Sequence, residues 1–184
     1  MRRKTFAHMN CSIARALEQI GEWWTFLILR EALMGTRRFE HFQRNLGIAR
    51  NILAARLKKL VARGILERAV VAEHARRAEY RLTEKGRALF PVLMALREWG
   101  DRWIAGPDRA PVIVVDRHNA EPIEVRVTSR DGRNIGWLDA RMLPGPGAQA
   151  ALRARLTRPR TSRSALREAP GGKSSAAARQ MQPI

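Results

Sequence analysis

The stretch GIARNILAARLKKLVARGIL, residues 47–66, combines spaced leucines with side chains that can recognise a nucleic acid. Asparagine can pair with adenine N6 and N7, and arginine or lysine can donate hydrogen bonds to guanine O6 and N7. If the stretch is a helix, with about 100° per residue, Leu53, Leu57 and Leu60 form a stripe on one side. Asn51 and Lys58 then lie on the opposite side. The pattern suits an ordinary surface helix, a helix lying on a membrane or a helix that enters a nucleic-acid groove.

The charge of the chain favours a polyanionic partner. The 184 residues include 35 Lys and Arg against 17 Asp and Glu, a formal net charge of +18. Residues 1–106 contain 21 basic and 10 acidic residues, and residues 151–184 contain 8 basic residues and 1 acidic residue. Basic and acidic residues balance in 107–150. Charge alone leaves the kind of polyanion open.

The segments before this stretch predict a helix-turn-helix. Apolar spacing predicts a short helix from Ser12 to Gly21 and a central helix over Trp24 to Met34. Residues 39–46 form a further helical pattern, which Gly47 interrupts before the leucine-rich helix runs to Gly64. Two helices joined by a turn of about three or four residues are the helix-turn-helix pattern.

A basic hairpin follows and predicts a winged helix. ILERAVV and AEYRL have strand character, and the segment AEHARR between them places Arg76 and Arg77 at its tip. From there the two guanidinium groups can reach phosphates or a narrow minor groove. Arg38 is a further phosphate candidate, and Arg50 can reach a base or a phosphate.

The next helix predicts a homodimer. Thr83 can cap it, and Pro91 predicts a kink or a break near Phe90. Its apolar face is longer than a small domain needs to cover itself; the face comprises Leu89, Leu93, Leu96, Trp99 and Trp103. Pairing through the helix around Thr83 to Trp103 would present two copies of the leucine-rich helix to an inverted repeat in a nucleic acid.

The rest of the chain divides by composition. We predict an N-terminal arm over 1–10, the winged-helix domain over 11–106, a small β-rich module over 107–147 and a basic, disordered tail over 148–184. The tail includes a short helix near Gln149 to Leu156.

Three stretches together resemble the HxlR-type winged-helix transcriptional regulators of bacteria: CSIARALEQIGEWWTFLILREAL, RRFEHFQRNLGIARNILAARLKKLVARGILER and AEYRLTEKGRALFPVLMALREWG. The resemblance covers roughly 11–103 and implies an α+β winged helix-turn-helix domain in a homodimer that binds operator DNA as a repressor or an activator. Ala49 and Ala54 stand where such proteins often place a hydroxyl, and the wing lacks proline. Residues 111–147 resemble the C-terminal module of longer members without its cysteines, so no metal site is expected.

Cys11, the single cysteine, excludes an intramolecular disulfide and a cysteine-rich zinc site and fits a reducing cytoplasm. The helix that begins there and nearby Arg15 would favour the thiolate, and a similarly placed cysteine senses oxidants in some HxlR-type proteins. Cys11 is therefore a candidate redox sensor, with a packed or merely inherited thiol as the alternative. No signal-peptide pattern or apolar run long enough to span a bilayer is present, so we expect a cytoplasmic, nucleoid-associated protein.

Other function classes have less support. The four histidines are widely separated, and neither a phosphate-binding glycine loop nor a pair of carboxylates stands out, so we expect no enzyme and no cofactor. A membrane-surface helix usually has Trp or Phe on its buried face, which residues 47–66 lack. The remaining alternative is a non-specific nucleoid- or RNA-binding protein, for which charge and tail alone would suffice.

Overall fold

The computed structural model describes residues 5–70, 78–106 and 108–158, and the chain divides into two compact units between Arg141 and Met142. The elements of the first unit are α1 Ser12–Ile20, α2 Trp23–Leu33, α3 Phe39–Leu46, α4 Arg50–Ala62, β1 Leu66–Val70, β2 Ala78–Leu82, α5 Glu84–Arg87 and α6 Phe90–Gly100, which continues into a π-helical turn, Asp101–Ala105. The second unit contains α7 Ala150–Thr157. None of the described helices is long and apolar enough to cross a membrane.

The core of the first unit is built around α2, which contacts α3, α4, β2 and α6. Its largest fully buried side chains come from four successive elements and from the residue before β1, namely Ile28 and Leu29, Phe42, Leu53, Leu57 and Leu60, then Ile65 and Leu66. The apolar run of α2 therefore forms a central helix, as its sequence predicts. Full burial of one such side chain contributes about 1.5–3 kcal/mol, so the core fixes the orientation of α4.

The turn between α3 and α4 is set by one glycine and one buried apolar residue. Gly47 ends α3 with φ 60°, a left-handed conformation that L side chains rarely adopt. Ile48 is buried beside it, and Ala49 precedes α4 without a side-chain cap because alanine has no hydrogen-bonding atom. The predicted helix-turn-helix is confirmed.

The hairpin forms with β1 and β2 antiparallel, Leu66 opposite Leu82 and Arg68 opposite Tyr80. A short extended segment before α3 joins its outer edge, since Arg38 bridges Glu79 and the Tyr80 amide donates to the Arg37 carbonyl at 2.8 Å. The sequence pattern did not predict this third segment. It ties the wing to the start of α3.

Thr83 caps the helix that follows, as predicted. Its Oγ1 accepts a hydrogen bond from the Gly86 amide at 3.1 Å and donates to the Gly64 carbonyl at 2.7 Å. Gly86 packs directly on the hairpin, since a Cβ there would lie 2.2 Å from the Ile65 carbonyl oxygen. The predicted break also occurs, because α5 ends at Arg87 and Pro91 lies in the first turn of α6.

The strands predicted between residues 111 and 144 must be corrected. The described residues there form isolated bridges, Val115 with Pro122 and Thr128 with Asn134, joined by turns. Their apolar side chains include Ile113 and Val127, which are exposed, so no packed face stabilises longer strands. The short helix predicted near Gln149 to Leu156 is confirmed as α7.

Candidate nucleic-acid interface

The inner face of α4 is docked as the leucine stripe predicts. Leu53, Leu57 and Leu60 are buried in the core. Asn51 and Lys58, predicted to lie opposite, are exposed and make no hydrogen bond or ion pair with any described residue. The polar groups of both side chains are therefore available to a partner outside the domain.

Two cations of α4 and Arg63, which immediately follows it, hold the helix to the segment around the α1–α2 turn. Arg56 and Lys59 both pair with the Glu22 carboxylate, with Lys59 Nζ 3.2 Å from Glu22 Oε1. Arg63 donates to the main-chain carbonyl of Gln19. We call this group, Gln19, Glu22, Arg56, Lys59 and Arg63, the helix clamp.

The sequence contained a signal for part of this clamp. Arg56 and Arg63 lie about 60° and 80° from Leu53 around the helix, at the border of the buried stripe. An arginine in that position can cover apolar surface with its stem and reach a partner with its guanidinium. Separating these cations from the outward ones leaves Arg50 and Lys58 as the basic residues of α4 that could face a polyanion.

The small residues of the outer face allow close approach. Ala54, Ala55 and Ala62 are exposed on the same side of α4 as Asn51 and Lys58. Because the alanine side chain is small, it lets the helix backbone approach a groove floor closely, and it can contact a thymine methyl group. The outer face therefore combines a low surface with one amide and one ammonium group.

Arg38 and Arg50 meet at a cleft between the helix-turn-helix and the wing. The cleft has a volume of about 580 Å³, and its lining includes these two arginines together with Phe39, Arg68 and Tyr80. The Arg50 guanidinium lies 5.0 Å from the centroid of the Phe39 ring, a cation–π contact that orients it beside the cleft. The sequence pattern alone did not indicate Arg68, because only the hairpin register, which places it opposite Tyr80, brings it here.

Next to the cleft, β2 carries a further carboxylate, Glu79, which is already neutralised. Arg81 donates to Glu79 Oε2 at 2.9 Å. This hydrogen bond, with the charges of Arg37 and Arg38, holds the pKa of Glu79 below its usual value. The cleft lining contains Arg38, Arg50 and Arg68 against one carboxylate, Glu40, so the cleft presents a net positive charge to an anion.

A buried carboxylate links α2 to the first helix of the helix-turn-helix. Glu31 of α2 accepts hydrogen bonds from Asn45 Nδ2 at 2.9 Å and Thr36 Oγ1 at 3.3 Å, and Arg30 pairs with it at 2.8 Å. Burial raises the pKa of Glu31, but these hydrogen bonds and the Arg30 charge outweigh burial, and the pKa is lowered. The ionised carboxylate links the end of α2 to the end of α3.

The other predicted site residues have different surroundings. Arg76 and Arg77 lie outside the described residues. Cys11 is exposed and immediately precedes α1, but the Nε of Arg15 donates to the Met9 carbonyl at 3.2 Å. Among the described residues, no cluster of three or more His, Cys, Asp or Glu side chains could hold a metal ion.

Large apolar side chains are exposed on α6, on the π-helical turn after it and on α1. Trp99 of α6 is 55% exposed and Trp103 of the π-helical turn is 65% exposed, with Leu96 and Ile104 also exposed. On α1, Ile13 and Leu17 are exposed as well. Apolar side chains this large and this close along a helix are typical of a surface that another molecule covers.

Comparisons with known proteins agree with this architecture. Residues 19–108 match the model of the HxlR-like helix-turn-helix family. The uncharacterised HTH-type transcriptional regulator MT3179 of Mycobacterium tuberculosis is 42% identical over 142 residues, which cover 77% of this chain and 90% of that protein. YvaP of Bacillus subtilis, another uncharacterised HTH-type transcriptional regulator, is 35% identical over 49% of this chain and 84% of its own length.

Two solved structures are similar over most of the chain. PA1607, a candidate transcription factor, is 43% identical with a TM-score of 0.70, and the match covers 76% of this chain and 98% of that one. PA1374, a candidate transcription factor from Pseudomonas aeruginosa, is 40% identical with a TM-score of 0.58, over 79% and 100% of the two chains. The chain belongs to the family of HxlR-like helix-turn-helix transcriptional regulators.

Proposed function

We propose that the protein binds double-stranded DNA as a homodimer, with α4 in the major groove, and thereby represses or activates transcription. The observation that carries the proposal is the division of α4 into a docked side and a side whose Asn51 and Lys58 have no partner among the described residues. A helix of 13 residues with a low, polar outer face has the dimensions that a major groove admits.

The polar side chains divide into two roles. Asn51 and Lys58 contact base edges, because they project from the middle of the exposed face. Arg38, Arg50 and Arg68 bind backbone phosphate at the cleft beside the wing, where three guanidinium groups line one concave surface. Arg76 and Arg77, which the sequence predicts at the tip of the wing, extend these contacts to phosphates or the minor groove.

Dimerisation through α6 and the turn after it would cover the exposed tryptophans. A two-fold axis there presents two copies of α4 to grooves about 34 Å apart, which implies an inverted-repeat operator. Substitution Trp99→Glu places a charge in the proposed interface and should convert dimers to monomers in light scattering. Trp137→Glu, at another exposed indole, is the control; equal effects of both variants would contradict this interface.

We also propose that Cys11 reports oxidants. Its exposure leaves the thiol open to reagents, and its position just before α1 puts an oxidised adduct next to Ile13 on the exposed face of that helix. Oxidant treatment should release DNA from the wild-type protein and not from Cys11→Ser. An identical response of the two proteins would remove Cys11 from the proposal.

Footprinting on the region upstream of the protein's own gene, at two salt concentrations and with random DNA as competitor, tests the function as a whole. A sequence-specific regulator protects a defined inverted repeat and keeps it against excess competitor. Protection spread over all sequences, lost in proportion to added random DNA or RNA, would instead indicate a non-specific nucleoid- or RNA-binding protein. A protein with the proposed function acts in the cytoplasm, at the nucleoid, and needs no catalytic group.

A further inference from the structure

A second cavity lies on the docked side of α4, away from the proposed base-contacting residues. It has a volume of about 340 Å³ and is lined by Gly21, Glu22, Trp23, Trp24 and Arg56. Small-molecule sites in proteins have volumes of about 300–1,000 Å³ and combine apolar walls with a few polar groups. The volume lies in this range, and two adjacent indoles and one ion pair form the lining.

The polar groups in this cavity favour an anion. Arg56 uses one terminal nitrogen to pair with Glu22, but its Nε is buried without a hydrogen-bond acceptor among the described residues. A buried N–H group without an acceptor is costly, and a ligand oxygen that displaced Glu22 from Arg56 would remove that cost. Glu22 is shared between Arg56 and Lys59, so the three side chains together carry a positive charge.

The apolar groups favour a planar ring. Trp23 is 89% exposed although it is the first residue of α2, and Trp24 beside it packs against the core. An indole left in water gains from stacking with an aromatic ligand. We therefore propose that this cavity binds a planar aromatic carboxylate, with the carboxylate on Arg56 and the ring against Trp23.

The position of the cavity connects such a ligand to α4. Arg56 and Glu22 belong to the helix clamp, so a ligand carboxylate on Arg56 competes with Glu22 for the same guanidinium. Weakening this contact changes how firmly α4 is held at the α1–α2 turn. The ligand is therefore a regulator of DNA binding, a consequence that rests on the proposed function, whereas the binding of the ligand itself does not.

Titration calorimetry on the full chain without DNA tests the site. The probe is 2-naphthoate, and the uncharged 2-naphthamide is its matched control. We expect saturable binding of 2-naphthoate and an affinity for the amide that is weaker by about tenfold or more, since a charged partner of Arg56 is lost. Trp23→Ala should weaken 2-naphthoate binding by about tenfold, whereas Trp137→Ala, at another exposed indole, should leave it unchanged.

Three results would overturn the site: no saturable binding at about 1 mM 2-naphthoate, equal affinity for the acid and the amide, or equal affinity of the wild type and Trp23→Ala. Trp23 is exposed, so the variant is expected to fold. With a DNA fragment that the wild type binds, saturating 2-naphthoate should change DNA affinity by about fivefold or more, and not in Trp23→Ala. Unchanged wild-type affinity for DNA would overturn the regulatory link, and failure of the protein to bind DNA would bear on the proposed function alone.

Discussion

Lys58 and Lys59 are adjacent lysines on α4 to which the structure gives different partners. Lys58 has no partner among the described residues, whereas Lys59 is 47% exposed and its Nζ lies 3.2 Å from the Glu22 carboxylate. Both residues have the same helix propensity, so replacement of each by alanine changes α4 equally in that respect. Comparing the two variants therefore isolates the effect of the side of α4 on which each lysine lies.

We expect Lys58→Ala to lower mainly DNA affinity and Lys59→Ala to lower mainly the stability of the fold. Lys58→Ala should cost about 1–3 kcal/mol per base contact in DNA affinity, which is about fivefold to 150-fold. It should change stability by less than about 0.5 kcal/mol. Lys59→Ala loses a half-exposed ion pair, and the 11% exposed Glu22 keeps Arg56 as a partner, so stability should fall by about 0.3–1 kcal/mol. Its DNA affinity should change by less than about threefold.

Fluorescence anisotropy with a footprinted DNA site measures the affinities, and urea unfolding measures the stabilities. Measurements at two salt concentrations separate a base contact from a general charge effect, because the latter weakens steeply as salt rises. Equal losses of specific affinity in both variants would refute the division of α4 into docked and outward sides. Unchanged specific affinity in Lys58→Ala would do the same.

Three further predictions concern the supports of the site. Gly86→Ala should destabilise the protein by about 1–3 kcal/mol, because the new Cβ would meet the hairpin backbone. Gly100→Ala, in open space on α6, should be neutral or should stabilise the protein by up to about 1 kcal/mol. Urea unfolding of both variants measures these changes. The lowered pKa of Glu31 contributes stability that is present above the ordinary glutamate pKa and is lost as pH falls through the folded-state pKa. Unfolding measured between about pH 6 and pH 3 should therefore be less acid-sensitive in Glu31→Gln than in the wild type. Equal acid sensitivity of the two proteins would contradict the buried network. Arg68→Gln should lower the salt dependence of DNA binding by about one unit of slope per protomer without changing sequence preference, and a changed preference would assign Arg68 to a base instead.

The sequence predicted the helix-turn-helix closely because its signals are local. The leucine spacing of α4, the glycine that ends α3 and the threonine that caps α5 each act within a few residues of their own position. The hairpin was predicted for the same reason. The family resemblance agreed with these local signals, and the comparisons confirmed it.

What the sequence did not predict depends on residues distant along the chain. The pairing of Arg56 with Glu22 and the meeting of Arg68 with Arg38 join segments about 30 residues apart, and residue spacing on one helix or strand does not show such partners. The strands expected between residues 111 and 144 failed for a related reason. Their alternating apolar residues suit a sheet, but strand propensity forms a sheet only where a neighbouring surface covers one face.

Asn51 tests the central claim, that the outer face of α4 reads DNA sequence. Selection from a library of randomised operators, performed with the wild type and with Asn51→Ala, gives the base preference at every position. We predict that the variant loses preference at one base pair in each half-site, adenine on one strand, and keeps the preferences elsewhere. Identical preference profiles for the two proteins would contradict the claim.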